Sequence, residues 1–145
     1  KPHVVCWEAC AEAPKLLANM EVVMTTGYNG RLHTAITEDK KNFKMVWNGQ
    51  GVDFDYWVIP KGLPAIDLAY QFIAFASEPE RMAQQTAYIA YGPLRKDALK
   101  FVAPSILPSL PTAPDNTRNY FKSDTQFWAD NHESLTERFN LWLSQ

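Results

Sequence analysis

The chain has 145 residues, the size of one ordinary domain. Hydrophobic residues make up 46% and charged residues 21%, a balance that excludes a disordered polypeptide. A net charge of −2 with scattered Lys and Arg leaves no electrostatic footprint for nucleic acid, and no apolar run approaches the roughly 20 residues that span a bilayer.

Taken in chain order, Val4–Trp7 is a short apolar run that reads as a strand. Glu12–Met20 has helical composition, with Pro14 tolerated in its first turn. Glu21–Thr26 is rich in β-branched residues and reads as a buried strand. Gly27-Tyr28-Asn29-Gly30 then reads as a turn at positive φ, followed by a short helix over 31–39. Phe43–Trp47 alternates as a strand does, and Asn48–Gly51 is a loop. Asp53–Ile59 is a further strand, ended by Pro60-Lys61-Gly62. A long apolar helix covers Leu68–Ala76. Ser77-Glu78-Pro79-Glu80 has the form of a capping box and opens a second helix over 81–89, which Tyr91-Gly92-Pro93 breaks. Pro104, Pro108, Pro111 and Pro114 forbid a continuous helix, so this stretch reads as a connection between packed bodies or a surface loop. Ser123–Ser144 is amphipathic, with Phe127, Trp128, Leu135, Phe139 and Leu143 near helical spacing and Trp128 assigned to the core. Alternating strands and helices define an α/β fold.

Along a strand at 53–59, alternation puts Asp53, Asp55 and Trp57 on one face. Two carboxylates repel each other unless water or a cation relieves them, and an indole adds a cation–π surface. Such a face holds an ammonium group, or it is a plain solvated edge strand. Tyr28 sits where a strand meets a helix, the end of an open α/β sheet at which ligands bind. Tyr91 stands at a helix end, where it either packs or faces a cleft. Cys6 and Cys10, four apart, read as unpaired, partly buried thiols, and His3, His33 and His132 have no metal-ligand spacing with them. No nucleotide-binding or nucleophile motif points to an enzyme, and no cofactor or metal is implied.

Trp47-Asn-Gly-Gln-Gly51, Asp55-Tyr-Trp-Val-Ile-Pro-Lys-Gly62, Asp67-Leu-Ala-Tyr-Gln-Phe-Ile-Ala-Phe-Ala-Ser77, Glu21–Gly30, Ile89–Pro93 and Phe127–Asp130 occur in one collinear order. Together they resemble the spermidine/putrescine-type periplasmic substrate-binding proteins of ABC transporters. The resemblance implies a type II periplasmic-binding-protein-like α/β fold of two lobes, incomplete here. Residues 1–58 would be part of the second lobe, 59–105 a segment of the first, and 106–145 a return to the second. It implies a non-enzymatic periplasmic protein that delivers a small solute to a membrane permease. That solute would be a polyamine or other small cationic amine, held by Tyr28, Asp53, Asp55, Trp57 and Tyr91. Asp53 and Ala129 depart from the spermidine pattern. A zwitterion such as a γ-amino acid, with Arg31 against its carboxylate, is the alternative, and a lone segment without binding activity is another. An uncovered apolar face would favour self-association.

Overall fold

The computed structural model describes residues 2–145. Five α-helices and one two-stranded sheet are ordered along the chain: α1 (Glu12–Ala18), α2 (Asn29–Thr37), β1 (Gln50–Val52), α3 (Ile66–Ala76), α4 (Pro79–Gln85), β2 (Tyr120–Lys122) and α5 (Thr125–Ser144). Two 3₁₀ turns, Lys96–Phe101 and Leu107–Ser109, lie between α4 and β2.

All five helices occur in the expected regions, because their signals are local, but α2 starts and ends two residues early and α4 stops at Gln85, four residues short of the expected end. Two end details differ from the sequence reading. Ser77 closes α3, accepting no role at the start of α4; Glu78 is the residue before α4, and Pro79 occupies its first turn. Tyr28 has φ −69° and Asn29-Gly30 is already the first turn of α2, so no positive-φ turn forms there. The chain takes positive φ at Met20, Lys40, Gly49 and Gly62 instead. Gly49 closes a turn in which Gln50 N–H donates to the Trp47 carbonyl at 3.0 Å.

The strands depart further. Val4–Trp7, Glu21–Thr26, Phe43–Trp47 and Asp53–Ile59 form no ladder; the paired residues are Gln50–Val52, within the stretch read as a loop and just ahead of the expected strand. Strand propensity measures fit to a pleated, half-buried surface and is realised only beside a partner. Val23 is 98% exposed, so its apolar side chain has no such surface among the described residues.

β1 pairs in parallel with β2, Gln50 opposite Tyr120 and Val52 opposite Lys122. Parallel strands need a long crossover, and here it contains α3, α4 and the 3₁₀ turns. Gly49 N–H to the Asn119 carbonyl (3.0 Å) and Ser123 N–H to the Val52 carbonyl (3.1 Å) extend the pairing at both ends.

The principal core lies inside the crossover. Ala83, Ala90, Val102, Leu110 and Ala113 are buried together, with Leu99, Ile106 and Leu107 packed against them. The proline-rich stretch is therefore more than a connection: it contributes Leu110, the largest fully buried side chain. Gln50 fastens this body to the sheet, its Nε2 donating to the carbonyls of Asn116 (2.7 Å) and Pro111 (3.1 Å). Asn116 in turn donates to the Leu110 and Pro108 carbonyls at 2.8 and 2.9 Å.

Candidate binding site

Beyond Val52 and Lys122 the two parallel strands run on side by side into Asp53 and Ser123, and α5 starts two residues later. Asp124 caps that helix, its Oδ1 accepting the Phe127 N–H at 3.0 Å. The result is an open groove of about 390 Å³ at the carboxyl edge of the strand pair, lined by Asp53, Tyr56, Ser123, Thr125, Trp128 and His132. This is the edge at which open α/β sheets take ligands. Trp128 and His132 are four apart on α5 and so share a face.

Within the groove Asp53 is exposed, and one carboxylate oxygen accepts the Phe54 N–H at 2.9 Å. The side chains of Tyr56, Ser123, Thr125 and His132 have no hydrogen-bond partner among the described residues. Trp128 is 47% exposed and meets the Phe127 ring edge-on at 5.8 Å, so it is a groove wall and not the core residue its helical spacing suggested. Periodicity identifies a face without saying what lies opposite it. Asp55 is exposed, with no hydrogen-bond or ion-pair partner among the described residues.

The stretch 53–59 pairs with no strand, and of the three side chains expected on one face only Asp53 lines the groove. Trp57 turns to α3, meeting the Phe72 ring at 5.4 Å in an edge-to-face contact while staying 62% exposed. Tyr28 and Tyr91 belong to two segments that meet. Asn29 Nδ2 donates to the Ala90 carbonyl, and Gly30 is so close to Ile89 and Tyr91 that a Cβ there would lie 2.9 Å from each. Only glycine lets α2 approach the 89–91 segment this closely. Tyr28, the residue before α2, is 56% exposed beside this junction, and Tyr91 is 36% exposed.

Sequence reading missed Tyr56, Ser123, Thr125, Trp128 and His132 as groove residues. The one local signal was the Trp128–His132 spacing; the rest depends on a strand pairing that joins residues far apart in the chain. Cys6 and Cys10 are free and exposed, where partial burial was expected. No group of three His, Cys, Asp or Glu side chains converges as a metal site among the described residues.

A groove at the carboxyl edge of a parallel strand pair, reached by a long helical crossover, places the chain among α/β solute-binding folds. Solved structures agree. A GABA receptor superposes with a TM-score of 0.79 at 28% identity, over 95% of this chain and 42% of that one. The periplasmic binding protein AgtB from A. tumefaciens R10, in complex with agropinic acid, gives 0.75 at 29% identity over 98% of this chain and 45% of that one. MotA from A. tumefaciens B6, in complex with glucopine, gives 0.73 at 28% identity over 90% and 41%. The fold is that of the periplasmic binding proteins.

The model of the bacterial extracellular solute-binding protein family matches residues 1–129, and the chain belongs to that family. A γ-aminobutyric acid-binding protein of Pseudomonas aeruginosa is 41% identical over all 145 residues. The chain spans 41% of that relative's length. No helix among the described residues is long and apolar enough to cross a membrane.

Proposed function

We propose that the chain supplies one wall of a solute site in the periplasmic component of an ABC importer, and that the solute is a small zwitterionic amine of the γ-amino-acid type. The observation that carries the choice of solute is the groove lining. Asp53 is its one carboxylate among the described residues, beside a tryptophan face and four side chains able to donate a hydrogen bond. An ammonium group suits the acid and the indole; a carboxylate suits the donors. A polyamine would bring a second ammonium with no second carboxylate in the groove lining to pair with it. The name of the P. aeruginosa relative supports the same choice over the spermidine/putrescine type.

In this reading Asp53 and the nearby Asp55 receive the ammonium, while Tyr28 and Tyr91, at the α2 junction, shape the aliphatic part of the site. Trp57, held by Phe72, borders it. Residues 1–58 and the end of the chain would lie on one lobe and residues from 59 onward on the other. The core shared by Ala83 and Leu110 favours a return later than residue 106, between Pro114 and Tyr120. Closure of the lobes would present the loaded protein to a membrane permease.

Calorimetric titration of a protein of the relatives' length carrying these 145 residues tests the proposal. Heat with γ-aminobutyrate and none with putrescine or spermidine is the expected result. Heat with the amines alone restores the polyamine reading, and heat with none of them overturns both choices of solute.

A further inference from the structure

We infer that Asn29 and Gly30 make a contact that closes the solute site, joining the two lobes beside Tyr28 and Tyr91. This deepens the reading above and rests on its division of the chain near residue 59. Asn29 and Gly30 open α2, in the part up to residue 58, whereas Ile89, Ala90 and Tyr91 follow α4, in the part from 59 onward. Each side of the contact is anchored in its own body. α1 and α2 pack together around Gly27, which lies within van der Waals reach of both Ala13 and Leu32. Ala90 is 1% exposed, held in the core that Ala83 and Leu110 share. The Ala90 carbonyl, fixed by that core, accepts a hydrogen bond from Asn29 Nδ2.

The contact has no slack. A Cβ on Gly30 would lie 2.9 Å from both Ile89 Cγ1 and the Tyr91 ring, so any larger residue holds the two bodies apart. Tyr28 directly precedes Asn29 and Tyr91 directly follows Ala90, so the same bond sets the separation of the two tyrosine backbones. Closure needs contacts that are made in the closed state and absent from the open one. A side-chain hydrogen bond to a carbonyl suits that task better than an apolar core does. On opening, the Asn29 amide and the Ala90 carbonyl exchange each other for water, at little net cost. Contacts between domains that move are accordingly more polar than cores. Water is close at hand, since Tyr28 and Tyr91, on either side, are 56% and 36% exposed.

The test uses a protein of the relatives' length carrying these 145 residues, as wild type, Gly30→Ala and Asn29→Ala. Calorimetry and stopped-flow mixing measure γ-aminobutyrate binding, solution X-ray scattering measures compaction by the solute, and urea unfolding is followed without solute. Gly30→Ala should weaken binding about tenfold through faster release, with capture unchanged, and should reduce the compaction. Asn29→Ala should weaken binding less, by the loss of one neutral hydrogen bond. Neither variant should move the urea midpoint of the unliganded protein, because its open form does not make the contact. A lowered midpoint for Gly30→Ala, or its failure to fold, shows permanent packing and overturns the inference. Affinity and compaction equal to wild type in both variants also overturn it and leave the solute reading intact. If wild type binds putrescine in place of γ-aminobutyrate, the zwitterion reading falls and the same comparisons with putrescine decide the contact. If wild type binds neither, both fall.

Discussion

Ser123 donates its backbone N–H to the Val52 carbonyl at 3.1 Å, and this bond sets Asp53 beside the start of α5. The groove depends on this pairing of residues distant in the chain. The acid comes from the strand that precedes the crossover, and the donors come from the strand and helix that follow it. What holds the two strands in register therefore also holds the site.

Gln50 is the clearest such fastener. Its amide serves the Asn116 and Pro111 carbonyls together, in a part-buried setting. Gln50→Leu should cost about 1–3 kcal/mol, the penalty for stranding buried acceptors, read as a lower urea midpoint at unchanged slope. Amide signals of Asp53 and Ser123 should shift in the same variant.

Gly92 marks a tighter contact. A Cβ there would lie 2.2 Å from Thr112 Oγ1 and 2.8 Å from Thr112 Cβ, so a rotamer change of Thr112 cannot relieve it. Gly92→Ala should destabilise the chain by about 1–3 kcal/mol through overpacking, measured by thermal or urea unfolding.

Arg95 and Asp97 form a two-point pair, Nε to Oδ1 at 3.0 Å and Nη2 to Oδ2 at 2.7 Å, at the start of the Lys96–Phe101 turn. Hydrogen bonds from Arg95 hold the Asp97 carboxyl below the usual carboxylate range. A group with a depressed folded pKa contributes stability above its unfolded pKa and loses it as pH falls through the folded value. The pair should therefore persist at neutral pH and open only in acid below the ordinary aspartate range. An NMR pH titration of the Asp97 carboxyl should show that low midpoint, returning to the ordinary range in Arg95→Ala.

α3 exposes Leu68, Phe72 and Phe75 on one side, with Trp57 alongside, and Ile66 and Tyr70 on the other. An apolar surface of this kind favours association in water. Sedimentation should show the chain self-associating at high concentration, and Leu68→Lys should reduce it. A wild-type monomer throughout would count against this.

Helices were legible in the sequence because their signals are local: Pro14 and Pro79 near their starts, apolar spacing along α3 and α5. The strands were not. Asp53–Ile59 has the composition of a strand, yet the ladder forms three residues earlier, where Gln50 meets Tyr120. Composition cannot name a partner 70 residues away. The core was equally hidden, since it is built largely from alanines around Leu110 within a proline-rich stretch. Of the site, the exposed acids follow from residue type, whereas the approach of α2 to the 89–91 segment at Gly30 is seen only in the fold. Trp128 and His132 emerge only once β2 has brought α5 alongside Asp53.

The central claim is that the acids following β1 receive the ammonium of a small zwitterion. It is tested most directly by the affinity for γ-aminobutyrate of the relatives'-length protein carrying this chain, measured for wild type, Asp53→Asn and Asp55→Asn. Replacing a carboxylate that pairs with an ammonium should weaken binding by about tenfold or more in at least one variant, with the fold intact. Affinity unchanged in both variants, with wild type binding normally, would contradict it.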